Sequence, residues 1–232
     1  MTKRLDLILN GKGGVGKSFF AVNFVQYLKD KNLKFIAGDC DNENSTLKRF
    51  HEEAEFLDLA QPRGLDAMMR AFDKTDLVVV DGRAASTDVF FDYFDEINLS
   101  ATLKALSVSL TVLMPVNHEA DSIEQLQHIV GKLQKTCSYL VLRNQAHNDR
   151  FVLYDQSVIH RKLEKEFGAK EITVSKLQPW LVEDLSRDNL TITAAIASER
   201  FHLLDRQRLQ TWQQKFYAQI ETVTDLLLPA KP

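Results

Sequence analysis

Residues 5–18 read LDLILNGKGGVGKS, and the fold follows from how the join at Asn10 is read. Leu5–Leu9 is a short apolar run, as expected of a strand covered on both faces. It breaks off into Gly11–Ser18, which fits the pattern G-x-x-x-x-G-K-[ST]. Gly11, Gly13, Gly14 and Gly16, with Val15 between them, let successive backbone N–H groups curl around a phosphate with little side chain in the way. KSFFAVNFVQYLKDKN follows, with Phe20, Phe24 or Val25, and Leu28 on one helical face and Lys29 and Lys31 near its far end. The positive N-terminal end of that helix points at the same phosphate. In such a loop Lys17 bridges the β- and γ-phosphates, and the Ser18 hydroxyl binds Mg²⁺ between them. The pattern does not require Lys12, so the other lysine of the loop needs its own explanation.

Outward from the loop, strands and helices alternate. Lys34–Gly38 reads as a second strand and Phe56–Leu59 as a short third one. Leu77–Val80 is a continuous apolar run suited to a central parallel strand. Val108–Pro115, Tyr139–Leu142 and Glu171–Val174 complete the strands. Helical patterns fall at Gly64–Phe72, Ala101–Ala105, Ala120–Gln134 and Val158–Phe167. Leu209, Trp212, Phe216, Ile220, Val223 and Leu227 step by three and four, which predicts one long amphipathic closing helix. The alternation predicts an α/β fold, a P-loop NTPase with a mostly parallel central sheet flanked by helices on both faces.

At 232 residues and 44% hydrophobic content the chain is expected to form a single domain, residues 1–232, around one sizeable core. A net charge of −3 gives no global attraction to nucleic acid or to an anionic membrane. Cys40 and Cys137 have no metal-ligand pattern around them and read as two reduced thiols. Lys3 and Arg4 lead straight into the first strand with no small-residue cleavage site, and no apolar run approaches a membrane span. The expectation is a cytoplasmic protein. The six histidines are scattered without ligand spacing.

KGGVGKS, residues 12–18, resembles the deviant Walker A motif, K-G-G-x-G-K-[ST], of the ParA/MinD class of P-loop ATPases. The resemblance implies that ATP or ADP with Mg²⁺ binds here. It also implies that Lys12 is the signature lysine, reaching across a homodimer interface to the phosphates of the other subunit's nucleotide. A cation supplied in trans makes dimerisation depend on whether the nucleotide is the more anionic triphosphate. GDCDNENST, residues 38–46, is similar to the D-x-D that opens switch I of that class. By that likeness Asp39 lies near the metal and Asp41 positions or activates the attacking water. The class often continues D-P-x-G-N, which Asp41-Asn-Glu-Asn-Ser does not. TDLVVVDGRAAS, residues 75–86, resembles a Walker B strand, with Asp81 holding a Mg²⁺-bound water and Gly82–Ser86 as switch II. Arg83 departs from the small residues and prolines usual there, and reads as a surface cation in preference to a phosphate or partner contact. Asn144, closing YLVLRNQ, matches an asparagine that hydrogen-bonds adenine in that class, or it caps a strand. Pro179, in SKLQPWLVEDL, matches a proline loop lining the adenine pocket, or it starts a helix with Trp180 on the core. Where partition ATPases continue GKTTTA, this chain has Ser18-Phe19-Phe20-Ala21, and Phe19 cannot donate a threonine's hydrogen bond to the α-phosphate. GKGGVGKSF and VLRNQ look more like the compact TraL- and StbB-type ATPases of conjugative plasmids.

The function implied is a dimeric switch ATPase that hydrolyses ATP slowly and positions or segregates plasmid DNA or a protein cargo, in plasmid transfer or stability. A protein partner that stimulates hydrolysis is implied with it, and DNA binding, direct or through a partner, stays open. Lys162, Arg161, Lys165, Lys170 and Lys176 form a modest basic cluster, interrupted by Glu164 and Glu166, that reads as a solvated face. The alternative is a metabolic ligase or synthase of the same superfamily that phosphorylates a small carboxylate. Such enzymes often lack the signature lysine, so Lys12 counts against it. No membrane anchor is evident: the last helical stretch mixes Arg206, Arg208 and Lys215 with Asp205, Glu221 and Asp225, so its polar face is not basic.

Overall fold

The computed structural model describes residues 2–61 and 63–230. Among them seven strands form one sheet: β1 (Lys3–Ile8), β2 (Ile36–Asp39), β3 (Glu55–Phe56), β4 (Leu77–Asp81), β5 (Val108–Val116), β6 (Ser138–Asn144) and β7 (Lys170–Val174). Every pairing is parallel, in the order β3-β2-β4-β1-β5-β6-β7. The predicted parallel α/β architecture is what the chain adopts.

Strand alternation divides the core in two. On one face α1 (Lys17–Asp30), α2 (Thr46–Phe50), α9 (Pro179–Asp188), α10 (Ile192–Ala197), α11 (Leu203–Glu221) and α12 (Thr224–Leu227) pack over Ile8, Leu77, Val79, Leu113 and Leu140. On the other, α3 (Asp66–Arg70), α4 (Thr87–Glu96), α5 (Leu99–Leu106), α6 (Ala120–Leu133), α7 (Val152–Asp155) and α8 (Val158–Glu166) cover Leu5, Leu7, Val78, Val80 and Val112.

Register then sets the chemistry. Asp39 of β2 pairs with Asp81 of β4, and Asp81 with Ile8 of β1, so the three strands end level. Ile8, Ala37, Leu77 and Val79 face α1. Asp39 and Asp81, two residues on from Ala37 and Val79, face it too. The chain leaves β1 toward β2 on one side of it and later places β5 on the other. β1 therefore lies at the topological switch, where open parallel sheets bind ligands at the carboxyl ends of their strands.

Several features depart from expectation, the short helices α2, α7 and α10 among them, since none has a counterpart in the sequence reading. The closing helix is not continuous: α11 ends at Glu221, and the Thr222 and Val223 N–H groups bond tightly back to the Gln219 and Ile220 carbonyls at 3.2 and 3.0 Å before α12 begins. Val223 and Leu227 are buried all the same, so the apolar spacing runs across a break it cannot signal. α4 has no counterpart in the sequence reading. Its run TDVFFDYFDE consists largely of aromatic, β-branched and Asp residues with weak helix propensity, and packing of Phe90, Phe91 and Phe94 holds it in place.

Candidate functional site

The loop after β1 wraps the N-terminus of α1. Lys17 is 7% exposed, and its Nζ donates to the Lys12 carbonyl at 2.8 Å across the loop. Burial lowers its pKa, while Asp81 and Asp41 act in the opposite direction. Gly16 sits at φ 99°, where L side chains are strained, and an added Cβ would lie 2.2 Å from Asn144 Nδ2. Beside the loop is a cleft of about 320 Å³ lined by Gly13, Gly14, Gly16, Lys17, Ser18 and Phe19, by Asp41, Asn44 and Thr46, and by Gly82, Arg83 and Ala84. Three sequence-distant segments thus meet over one phosphate-sized cradle. Gly82 permits the approach: its N–H bonds the Ile8 carbonyl at 2.9 Å, and a Cβ there would lie 2.7 Å from that oxygen.

Asp81 is 1% exposed, and among the described residues neither carboxylate oxygen has a partner in hydrogen-bond geometry, although the Ser18 hydroxyl lies beside it. Burial pushes its pKa up to about 7; the neighbouring Ser18 hydroxyl and Lys17 hold it back, and Asp39 and Asp41 add to the rise. An orphaned buried carboxylate next to a serine hydroxyl at a phosphate cradle fits Mg²⁺ and its water shell. Among the described residues no set of three or more His, Cys, Asp or Glu side chains could hold a metal by itself. An ion here would depend on Ser18 and on phosphate oxygens, as P-loop chemistry requires.

Asp39 is fully buried, and its oxygens accept the Asp41 N–H at 2.9 Å and the Lys48 N–H at 3.0 Å. It ties the end of β2 to α2 and so shapes the loop between them. Burial raises its pKa against those two bonds. Asp41 caps that loop: one oxygen accepts from the Glu43 and Asn44 N–H groups at 2.9 and 3.2 Å, the other from the Asn44 amide at 3.2 Å. Burial raises its pKa, but these donors and Arg83 outweigh it, so Asp41 stays below its ordinary value. The missing proline and glycine of D-P-x-G-N are replaced by this side-chain turn.

Arg83, read from the sequence as a surface cation in preference to a phosphate or partner contact, is partly exposed. It lines the phosphate cleft, and its Nη1 donates to Asn42 Oδ1 at 2.7 Å. Lys12, by contrast, does not line that cleft. Its Nζ pairs with Glu119 Oε2 at 3.0 Å and Asp121 Oδ2 at 3.2 Å, and these two bonds raise its pKa. The two lysines of one loop therefore point to different places.

Asn144 lies under the loop. Its Nδ2 donates to the Val15 carbonyl at 2.9 Å, and its Oδ1 accepts the Ala146 N–H at 3.1 Å. Pro179 opens α9 at the first helical position and also lines a cleft of about 470 Å³ with Gly14, Gly16, Asn144, Lys176 and Glu183. The helix-start and pocket readings of Pro179 are both compatible with this geometry. Trp180 is exposed instead of packed on the core. Phe19 borders both clefts and a separate apolar cavity of about 190 Å³, with its ring edge-on to Trp212 at 5.4 Å.

Sequence reading missed the residues that brace the loop. Asn10 Nδ2 donates to the Pro115 and Ser122 carbonyls at 2.8 and 3.1 Å, and its Oδ1 accepts the Lys12 N–H at 2.9 Å. Gln125 Oε1 accepts the Gly11 N–H at 3.2 Å. Asn10, the polar residue that ends an apolar strand, carried a signal; Gln125, Glu119 and Asp121 carried none. Among the described residues no helix is long and apolar enough to cross a membrane.

Residues 7–179 match the family described as the CobQ/CobB/MinD/ParA nucleotide binding domain. The chain is 25% identical over 228 residues to Protein MobD of Acidithiobacillus ferrooxidans, covering 96% of this chain and 99% of that one. It is 23% identical over 247 residues to a Protein TraL of Escherichia coli, with coverage of 96% and 99%. Among solved structures, the MinD cell division protein of Aquifex aeolicus superposes with a TM-score of 0.57 at 16% identity, covering 99% of this chain and 100% of that one. That last likeness is one of fold.

Proposed function

The chain belongs to the CobQ/CobB/MinD/ParA nucleotide-binding family, and from that premise we propose that it is a Mg²⁺-dependent ATPase working as a dimeric switch. ATP brings two copies together, slow hydrolysis separates them, and the cycle positions plasmid DNA or a protein cargo. The observation that carries this reading is the divergence of the two loop lysines. Lys17 is buried in its own subunit's cleft, whereas Lys12 lies outside it, held by Glu119 and Asp121. A cation so placed lies outside its own subunit's cleft and, once released from the two acids, can serve a neighbour's phosphates.

In this reading residues 1–232 act as one P-loop domain in the cytoplasm. Lys17, the loop amides from Gly11 to Ser18 and the α1 N-terminus hold the phosphates. Ser18 and Asp81 would hold the metal, which when bound would offset negative charge on the phosphates. Asp41 orients the attacking water, and its lowered pKa keeps it ionised. Asp39 serves as the positioning residue that shapes the Asp41 loop. Phe19 and Pro179 border the nucleoside side. A protein partner stimulates hydrolysis, and DNA is engaged directly or through a partner. The likeness to MobD and TraL along nearly the full chain supports a role in plasmid transfer or stability.

Size measurement with ADP and with ATP tests the switch. Wild type is expected to dimerise with ATP only, Lys12→Ala to bind nucleotide and stay monomeric, and Asp41→Ala to persist as an ATP-bound dimer. A wild type that stays monomeric with ATP overturns the model. ATP turnover that appears only with a small carboxylic substrate would establish a ligase or synthase instead.

A further inference from the structure

We infer that Arg83 is a second phosphate-reading cation, acting on the γ-phosphate of its own subunit's nucleotide and exchanging Asn42 for that phosphate. The inference rests on the reading of the cleft as a triphosphate site, and it adds a residue that the loop motif does not contain.

The charges in the cleft carry the argument. Among the described residues lining it, the cations are Lys17 and Arg83, and the carboxylate is Asp41. Lys17 is already bonded to the Lys12 carbonyl at the loop end. Lys12 is drawn out of the cleft by two acids on the α6 side. Within one subunit, then, Arg83 is the cleft-lining cation supplied from outside the P-loop, two residues beyond the buried Asp81. Arg83 is partly exposed, and among the described residues its one hydrogen-bond partner through the guanidinium is the Asn42 side chain at 2.7 Å. A neutral amide on an exposed loop is a weak competitor for guanidinium against a dianionic phosphoryl group, which the planar fork matches with two parallel bonds.

The backbone holds Arg83 for this exchange. The Ala85 N–H bonds the Gly11 carbonyl at 2.9 Å, and the Ser86 hydroxyl donates to the Arg83 carbonyl at 2.7 Å. The segment is therefore pinned to the phosphate loop on one side and to the start of α4 on the other. Only the side chain needs to move. When it does, Asn42 is released, and with it the tether between the loops after β2 and β4. The same residue thus reads the third phosphate and frees the loop that carries Asp41.

Affinities of Mg-ATP and Mg-ADP for Arg83→Ala, Arg83→Lys and Asn42→Ala test this. Arg83→Ala is expected to weaken ATP by about tenfold to a hundredfold, the range of a charge-assisted pair, and to leave ADP within about twofold of wild type. Arg83→Lys recovers part of the loss, because charge returns without the fork. Asn42→Ala keeps the ATP preference or strengthens it. The Arg83→Ala effect persists in a Lys12→Ala background, since it arises within one subunit. Equal loss of ATP and ADP in Arg83→Ala, no loss of either, or an Asn42→Ala variant that behaves like Arg83→Ala would overturn the inference. Wild type that binds neither nucleotide overturns the reading of the cleft instead, and an ATP preference that depends on Lys12 alone leaves the dimer switch standing without Arg83.

Discussion

Two lysines five positions apart have opposite surroundings. Lys17 gives up water for a loop carbonyl and nearby carboxylates, so Lys17→Ala is expected to abolish nucleotide binding, measured by titration with Mg-ADP. Asp6 is a different kind of buried charge. It lies at the sheet centre, fully buried, with neither oxygen partnered among the described residues, and burial raises its pKa well above normal despite Arg4 on the same strand. The folded state therefore holds the Asp6 proton where the unfolded chain has lost it. Stability from this group is present at acid pH and declines as pH rises past the ordinary carboxylate range. Asp6→Asn removes that slope. Urea unfolding should find the variant more stable than wild type by roughly 1–3 kcal/mol near pH 7.5 and by less near pH 4. An equal difference at both values would show that Asp6 is not the group responsible.

At the scale of elements, the phosphate loop is braced from both sides. β6 reaches it through Asn144, and the α6 region through Gln125 and the Glu119–Asp121 pair. Asn144→Ala leaves the Val15 carbonyl without its side-chain donor, so a loss of about 1–3 kcal/mol in stability is expected, together with weaker binding of ATP and GTP alike. Loss of the ATP-over-GTP preference at unchanged stability would instead make Asn144 the base reader that its resemblance implies. The acidic pair has another role. Bonds that hold Lys12 in its own subunit must be broken before it can serve a neighbour, and that lowers the apparent affinity for the dimer. Glu119→Gln combined with Asp121→Asn should move ATP-dependent dimerisation to severalfold lower protein concentration in sedimentation or light scattering. A shift to higher concentration would place the two acids in the interface itself.

At the scale of the molecule, the parallel sheet brings Ile8, Asp39 and Asp81 level at one edge, and the cost is a buried carboxylate, Asp81, with only the neighbouring Ser18 hydroxyl to offset its burial. Binding of a cation there should stabilise the whole chain by mass action. Mg-ADP is expected to raise the melting temperature by several degrees, and chelation of Mg²⁺ to remove most of that gain. In Asp81→Asn the Mg²⁺-dependent part should vanish, while a smaller gain from ADP itself remains. A Mg²⁺ effect that survives in Asp81→Asn would assign the ion to other ligands.

The fold was legible because its signals are local. An apolar run, a glycine loop and an amphipathic helix each declare themselves within a dozen residues, and their alternation leaves few topologies open. α4 and the break after α11 were not legible, since packing overrode propensity in one and the buried periodicity continued through the other. The phosphate loop and the carboxylates Asp39, Asp41 and Asp81 were likewise readable as motifs in order along the chain. Their relative placement was not. The sequence by itself determined a parallel α/β nucleotide fold and the residues of its loop. Only the tertiary structure decided that Arg83 faces the phosphate cleft, that Asn144 supports the loop from beneath, and that Lys12 is held by acids over a hundred positions away. Secondary structure is set by neighbours in sequence, whereas the direction and partners of a polar side chain depend on register and on which elements the sheet brings together.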